Sequence, residues 1–549
     1  MRAPLILAVA TLASSSTAAL AQAANEAPEA PGEAACPTRQ PKGLPPLGPK
    51  PAHLLSGDAA QHGLIHLDLG KCMTLEIPAG LAGRAEYASS FPVDRYGNEY
   101  QPGLSLAPEL RIGARFDTAR ALKSVNLMLE LEHDVVTGVK ADPRMTGPVA
   151  DAAGEADVPA KDHTVLAPYT HGLEMQPRKA YGRVAIGKAA QVTGGLMTSH
   201  WGLGLLANDG AHGWTPGSAR FTDPRSGDRV LRVMLSTGPH SDAGLTAAAG
   251  YDFASWDDAS YPDDKAQQFF FALVGGYGKT TTAGAYVVWR HQEAPDGKTT
   301  DVNVVDVMGQ TLIDLDSARV TLGTEMALIT GTTQLGPSPD FEEHDIMQFG
   351  AAFQAGLDLG ELGANLDFLY ASGDQNLDDG TQHGFRADVN YHMGILLFRH
   401  VLAAQSARGA VTAADTTLVG VPAEDLDRIP TQGRIGNTIA IFPRIRYRPI
   451  DGLEAYAGPL FAFAAASNLD PFNTRLGGGA PHNSLNAPGG SYLGTEYDLG
   501  VRYRAQISGA LLDVGAEGGI LQPGDALSRE DGSSMGSVYG GRVLVGFHL

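Results

Sequence analysis

From about residue 82 to the C-terminus the chain repeats one pattern, short runs in which apolar and polar residues alternate. The run ELRIGARF (109–116) sets Leu110, Ile112, Ala114 and Phe116 on one side and Glu109, Arg111, Gly113 and Arg115 on the other. VNLMLELEH (125–133) opposes Leu127, Leu129 and Leu131 to Glu130 and Glu132, and EYDLGVRYR (496–504) opposes Tyr497, Leu499, Val501 and Tyr503 to Glu496, Asp498, Arg502 and Arg504. In FPRIRYRPIDGLEAYAGPLFAF (442–463), Arg444, Arg446 and Arg448 alternate with Ile445 and Tyr447 before an Asp-Gly turn and a second alternating run. Successive side chains of a strand point to opposite faces, so this period predicts strands that meet two different solvents.

The links between the runs alternate as well. Short ones fall near 119–121, 189, 238–241, 279–280, 314–316, 359–360, 449–451 and 506–507. Long ones fall near 139–175, 202–228, 255–265, 332–343, 374–433, 467–489 and 522–535. Tight turns on one side and long loops on the other are the habit of outer-membrane barrels. The terminal SVYGGRVLVGFHL puts Val543, Val545, Phe547 and Leu549 on one face, as a barrel-closing strand would. The reading is an all-β fold, a transmembrane antiparallel β-barrel over 82–549. It has about 18 strands if 374–433 is one inserted loop or plug, or 20 if FRADVNYHMGILLFRHV (385–401) is a hairpin. Odd counts are excluded because both ends lie on the periplasmic side. A secreted β-helix would need a fixed repeat period, which these unequal segments lack.

Composition agrees. Among 549 residues there are 68 glycines, with 43% hydrophobic and 18% charged residues. Mean hydropathy is −0.10. The best internal apolar stretch, MGILLFRHVLAA (393–404), is interrupted by Arg399 and His400 and falls short of the roughly 18 apolar residues of a spanning helix. The first residues, MRAPLILAVATLASSSTAALAQA, combine Arg2, an apolar run over 4–13 and small residues at Ala19 and Ala21. They predict a secretory signal over 1–21, cleaved after Ala21, with Ala23 as a second cleavage point. A short Pro-rich periplasmic segment over 22–81 follows. It holds Cys36 and Cys72, the only two cysteines, which an oxidising periplasm is expected to join as one disulfide. The net charge of −21 argues against nucleic acid as a partner.

A charged side chain facing lipid at mid-membrane costs about 2–4 kcal/mol, so the strand arginines are expected to face the lumen. They are Arg111, Arg115, Arg183, Arg290, Arg319, Arg444, Arg446, Arg448, Arg502, Arg504 and Arg542, with Glu130, Glu132, Glu325, Asp367, Glu496 and Asp498 on the same face. Either they pair with these carboxylates and stiffen a wet lumen, or they form a basic ladder for an anionic solute. A second motif, His200, Trp201, Gly202, Gly204, Asn208 and Asp209, sits where a strand enters a long loop; Trp201 there reads as a membrane-interface anchor and Asn208 and Asp209 as turn formers. Ser199 and His200 are adjacent strand residues and cannot converge as nucleophile and base. DQNLDDG (374–380) spaces Asp374, Asn376 and Asp378 like the first ligands of a calcium loop, but its glycine comes one place late and no bidentate Glu follows. An ordered acidic turn is the better reading. No metal and no cofactor are expected, and no enzyme, since no Ser/His/acid set converges.

RKAYGRVAIGKAAQVTGGLMTSHWGLGLLANDG (178–210), supported by ELRIGARFDTARALKSVNLMLELEHDVV (109–136) and DDASYPDD (257–264), resembles an uncharacterised family of large bacterial outer-membrane barrels. That family is in turn similar to alginate-export-type porins, as is FLYASGDQNLDDG (368–380) followed by a long inserted loop. The resemblance implies a monomeric 18-stranded channel with loops folded over an arginine-rich lumen. The expected partners are outer-membrane lipid and lipopolysaccharide, with an anionic small solute or a polysaccharide as cargo. A structural or surface-interaction barrel is the alternative.

Overall fold

The computed structural model describes residues 65–548 apart from 71–72, 119–124, 137–138, 141–143, 147–173, 211–226, 258, 262, 277–279, 337–339, 377–378, 416–418, 420–423 and 508–509. The signal segment, Cys36 and Cys72 lie outside these residues. Eighteen strands close one antiparallel barrel. They are β1 (Ala79–Ala88), β2 (Gly103–Asp117), β3 (Val125–Val136), β4 (Glu174–Ile186), β5 (Ala190–Thr198) and β6 (Arg229–His240). Then come β7 (Leu245–Trp256), β8 (Lys265–Gly275), β9 (Thr281–Glu293), β10 (Thr299–Leu315), β11 (Ala318–Thr333) and β12 (His344–Asp358). The last six are β13 (Leu362–Ala371), β14 (Thr438–Ile450), β15 (Leu453–Ala464), β16 (Tyr492–Ile507), β17 (Ala510–Pro523) and β18 (Val538–His548). Each strand pairs with the next, and β18 returns to β1 with Arg542 opposite Glu86 and Val545 opposite Gly83. Closure leaves no ladder edge, which is what lets strands cross hydrocarbon.

The alternation resolves as two faces. Ile445 and Tyr447 are 69% and 48% exposed on the outside, while Arg446 and Arg448 between and beside them are 1% and 0% exposed. The outer surface is a band of such apolar side chains. Tyr87, Phe253, Trp256 and Tyr539 lie toward its long-loop rim and Tyr447, Tyr503 and Phe547 toward its short-turn rim, the aromatic girdles of a membrane barrel. The sheet begins earlier than residue 82. Strands Ile65–Asp68 and Thr74–Ile77 pair with each other, and Thr74–Glu76 continue onto Arg115–Asp117 of β2.

The 385–401 segment forms no membrane hairpin: β13 pairs directly with β14, which fixes the count at 18. Instead Leu397–Leu402 make a π-helical turn that runs into helix α1 (Ala403–Ala414), buried along most of its length. Its apolar run therefore packs inside the barrel. A short helix α2 (Pro471–Leu476) from the β15–β16 loop packs near α1. Asp470 opens α2, its carboxylate accepting the Asn473 N–H at 2.9 Å, with Pro471 at the first helical position.

Candidate functional site

All eleven arginines singled out by alternation stand on the inner face, and eight of them, Arg183, Arg290, Arg319, Arg444, Arg446, Arg448, Arg504 and Arg542, are buried. They meet carboxylates at close range. Arg444 is bonded to Asp367, Arg448 lies 2.5 Å and Arg446 3.2 Å from Asp358, and Arg502 and Arg504 share Asp513 at 2.5 and 2.6 Å. Arg290 reaches Asp257 at 2.5 Å and Arg542 reaches Glu517 at 2.6 Å. Arg111 holds Asp134 at 2.6 Å, while Arg115 and Arg319 make looser pairs at 3.4 Å with Asp117 and 3.3 Å with Asp314.

Glu325 and Glu496 act differently, for each holds a loop inside the barrel. The first loop is the His200–Asp209 motif between β5 and β6. Leu203 and Leu205 donate their N–H groups to Glu325 at 2.5 and 3.3 Å. Trp201 donates its indole N–H to Asp306 at 2.7 Å and packs tilted against Tyr286 with ring centres 4.7 Å apart. Trp201 is 1% exposed. It anchors this loop to the inner wall and takes no place at the membrane interface, because the indole donor finds a buried carboxylate there. Gly202 (φ 56°) faces the Glu325 carboxylate, and a Cβ would stand 2.6 Å from it, so only glycine fits this approach. Asn208 closes a turn by accepting the Gly210 N–H at 3.1 Å, and Asp209 supplies its carbonyl to Arg178. His200 is buried, and Gly204 has a φ of 77°.

The second loop is the long insertion between β13 and β14. Ile395, Leu396 and Leu397 donate three successive N–H groups to Glu496 at 2.5, 2.8 and 2.8 Å. Arg399 grips Glu86 of β1 at 2.6 and 3.0 Å, and Arg408 reaches Asp94 at 2.7 Å. Phe385 packs so close to Gly350 of β12 that a side chain there would overlap its ring. Leu396 lies similarly against Gly540 of β18, where a Cβ would come within 2.9 Å. The two loops touch: Asp388 N–H donates to Leu205 C=O at 2.8 Å.

Polar ties fasten the insertion at the long-loop rim. Arg428 forms a two-pronged pair with Asp264 at 2.8 and 3.1 Å and stacks over Tyr261 at 4.1 Å. Burial alone would raise the Asp264 carboxyl; the Arg428 guanidinium and the Tyr261 N–H outweigh it and hold it below the usual range. Lys298 pairs with Glu424 at 2.6 Å and Asp425 at 2.9 Å. Beside α1, burial pushes the Asp470 carboxyl up to about 6.

Alternation missed several inner-face groups. A bulge between Pro177 and Lys179 turns both Arg178 and Lys179 inward, where they meet Glu132 at 2.8 Å and Glu130 at 2.9 Å. Arg232 pairs with Asp252 at 2.7 Å, both fully buried, and lies 4.7 Å over the Phe270 ring. Asp374 is engaged by backbone, accepting from Asn376 N–H and His383 N–H at 3.0 Å each. That is an ordered turn, and no cluster of three metal-ligating side chains occurs among the described residues. Asp378 lies outside them.

No family model matches the chain, and no curated protein does. Among solved structures it is similar to Pseudomonas aeruginosa OccK5 (OpdH), at 12% identity over 86% of this chain and 98% of that one, with a TM-score of 0.45. It is similar to OccK2 (OpdF) of the same organism in complex with glucuronate, at 12% identity over 86% and 98%, with a TM-score of 0.46. The outer membrane channel DcaP of Acinetobacter baumannii gives 12% identity over 89% and 100%, with a TM-score of 0.40. These likenesses lend no support to an alginate-export type.

Proposed function

We propose that this chain is a porin-like channel of the bacterial outer membrane, passing small polar solutes, anions among them, through a lumen rich in arginine. The observation that carries the reading is the pairing of an apolar outer band with an inner face of charge inside a closed ring, which is a water path through lipid. The two inward loops support a small solute over a polysaccharide, because they occupy the cross-section that a polymer would need. The arginines support the inclusion of anions among those solutes, since a low-dielectric wall concentrates the field of charges that line it. In this reading the chain is exported by its cleaved leader, sits in lipid and lipopolysaccharide as a monomer, and performs no catalysis.

One observation favours a second reading, a structural or surface-interaction barrel without significant conductance: Arg444, Arg446 and Arg448 are buried and ion-paired. Planar bilayers separate the two. Purified protein should give discrete conductance steps in a salt gradient; a silent barrel that resists heat in detergent would favour the second reading.

A further inference from the structure

Water reaches the inner face unequally. On β2 every inward position from Gly103 to Asp117 keeps partial exposure, and no inward residue of that strand is buried. The side chains of Arg111, Arg115 and Lys179 are 27%, 16% and 21% exposed, and those of Glu109, Asp117, Glu130 and Glu132 are 18%, 16%, 17% and 14% exposed. Elsewhere on the inner face the same kind of pair is sealed: Arg232 and Asp252 are both at 0%, Arg290 and Asp257 at 1% and 0%, and Arg446 and Arg448 at 0% and 1% with their shared Asp358 at 2%. The two inward loops are anchored on β10, β11, β16 and β1 through Asp306, Glu325, Glu496 and Glu86, none of which lies on β2, β3 or β4.

We infer that the solute path is eccentric, following the inner face of β2 and the adjoining Glu130, Glu132 and Lys179 of β3 and β4, and that Arg111, Arg115 and Lys179 with Glu130 and Glu132 set its charge selectivity in place of the Arg444–Arg448 ladder. The inference rests on the channel reading. The exposed groups are mixed in sign, three cations beside four carboxylates, and they face one another across neighbouring strands, with Arg115 opposite Glu130 and Lys179 opposite Glu132. Such a wall offers both a guanidinium and a carboxylate within one solute length. It favours dipolar solutes, which carry both charges, over simple anions, and leaves the pore weakly selective between small ions.

The test uses full-length protein in planar bilayers under a potassium chloride gradient. Arg111→Gln with Arg115→Gln should move the permeability ratio toward potassium, and Glu130→Gln with Glu132→Gln should move it toward chloride, each by roughly twofold to fivefold, because the path focuses the field of its own lining. Arg444→Gln, Arg446→Gln and Arg448→Gln together should leave the ratio unchanged wherever the barrel assembles. A readout independent of folding comes from cysteines modified after insertion, in a Cys36→Ser, Cys72→Ser background. A charged thiol reagent should reduce the current through Ser105→Cys on β2 and leave it intact through Ser236→Cys, whose native side chain is buried on β6. Selectivity that follows the ladder, or block at 236 without block at 105, overturns the eccentric path and leaves the channel standing. Native protein that never conducts overturns both.

Discussion

On β14 every inward side chain from Thr438 to Arg448 is buried, whereas on β2 none from Gly103 to Asp117 is. Both strands alternate in the same way, both place arginines inward, and in both the arginines meet carboxylates, those of β14 coming from Asp367 on β13 and Asp358 on β12. What differs is what lies over them. The β14 arginines are packed among strand side chains, with Phe442 and Tyr456 beside Arg444 and Asp358 beside Arg446 and Arg448, so charge there is desolvated and each partner depends on the other. Along β2 and at Lys179, Glu130 and Glu132 the pairs keep partial contact with water, so a passing solute can exchange with a partner. The role of a lumen arginine therefore follows from its coverage more than from its identity.

The contrast can be broken most severely at the ladder. Arg444→Gln, Arg446→Gln and Arg448→Gln together strand Asp358 and Asp367 without their partners, and one broken buried pair costs about 3–5 kcal/mol. Thermal unfolding in detergent should show a barrel that assembles poorly or melts far earlier, while Arg115→Gln, at a partly exposed pair, should barely move the transition. Glu496→Ala comes next. It orphans three N–H groups at about 1–3 kcal/mol each, so the insertion should leave its seat and the filled arc should open. Conductance should rise several-fold, and Glu130→Ala on the open arc should produce no such rise. Gly350→Val is a milder wedge. Displacing the Phe385 ring should cost about 1–3 kcal/mol as overpacking, read as a lower unfolding temperature with conductance noisier but present.

The smallest effect is a pH dependence at the rim. Burial raises the Asp470 carboxyl to about 6, so the folded state binds its proton more tightly than the unfolded chain does. The stability this group contributes is present below its unfolded value and is lost as pH rises through about 6. Limited proteolysis of the β15–β16 loop should accordingly be slower at pH 5 than at pH 7.5, and Asp470→Asn should flatten the difference.

Alternation along the chain revealed the strands, the long and short links and the inward arginines, because lipid and lumen imprint opposite chemistry on neighbouring residues. It faded where the lumen is filled. On β6 the inward Val230 and Met234 flank Arg232, so both faces look apolar and the arginine loses its contrast. At Pro177 a bulge shifted the phase and hid Arg178 and Lys179. The anchoring roles of Glu325 and Glu496 were not legible at all, since both read as ordinary lumen acids and their partners are backbone groups far away in the chain. One signal was available: GLGLLA (202–207) and MGILLF (393–398) are apolar runs inside loops, and such runs must bury themselves somewhere.

The insertion also lies across the junction where the chain's first barrel strand meets its last. Leu396 rests on Gly540 of β18, and three residues later Arg399 holds Glu86 of β1. Until those two strands are side by side, this seat does not exist. This contact therefore forms only with closure, and once made it acts as a rivet across a weld. A ring fastened by hydrogen bonds alone would start to unzip at its ends; here the ends are bridged from within by a segment more than three hundred residues removed from one of them, so pulling the seam apart means first extracting the piece that spans it.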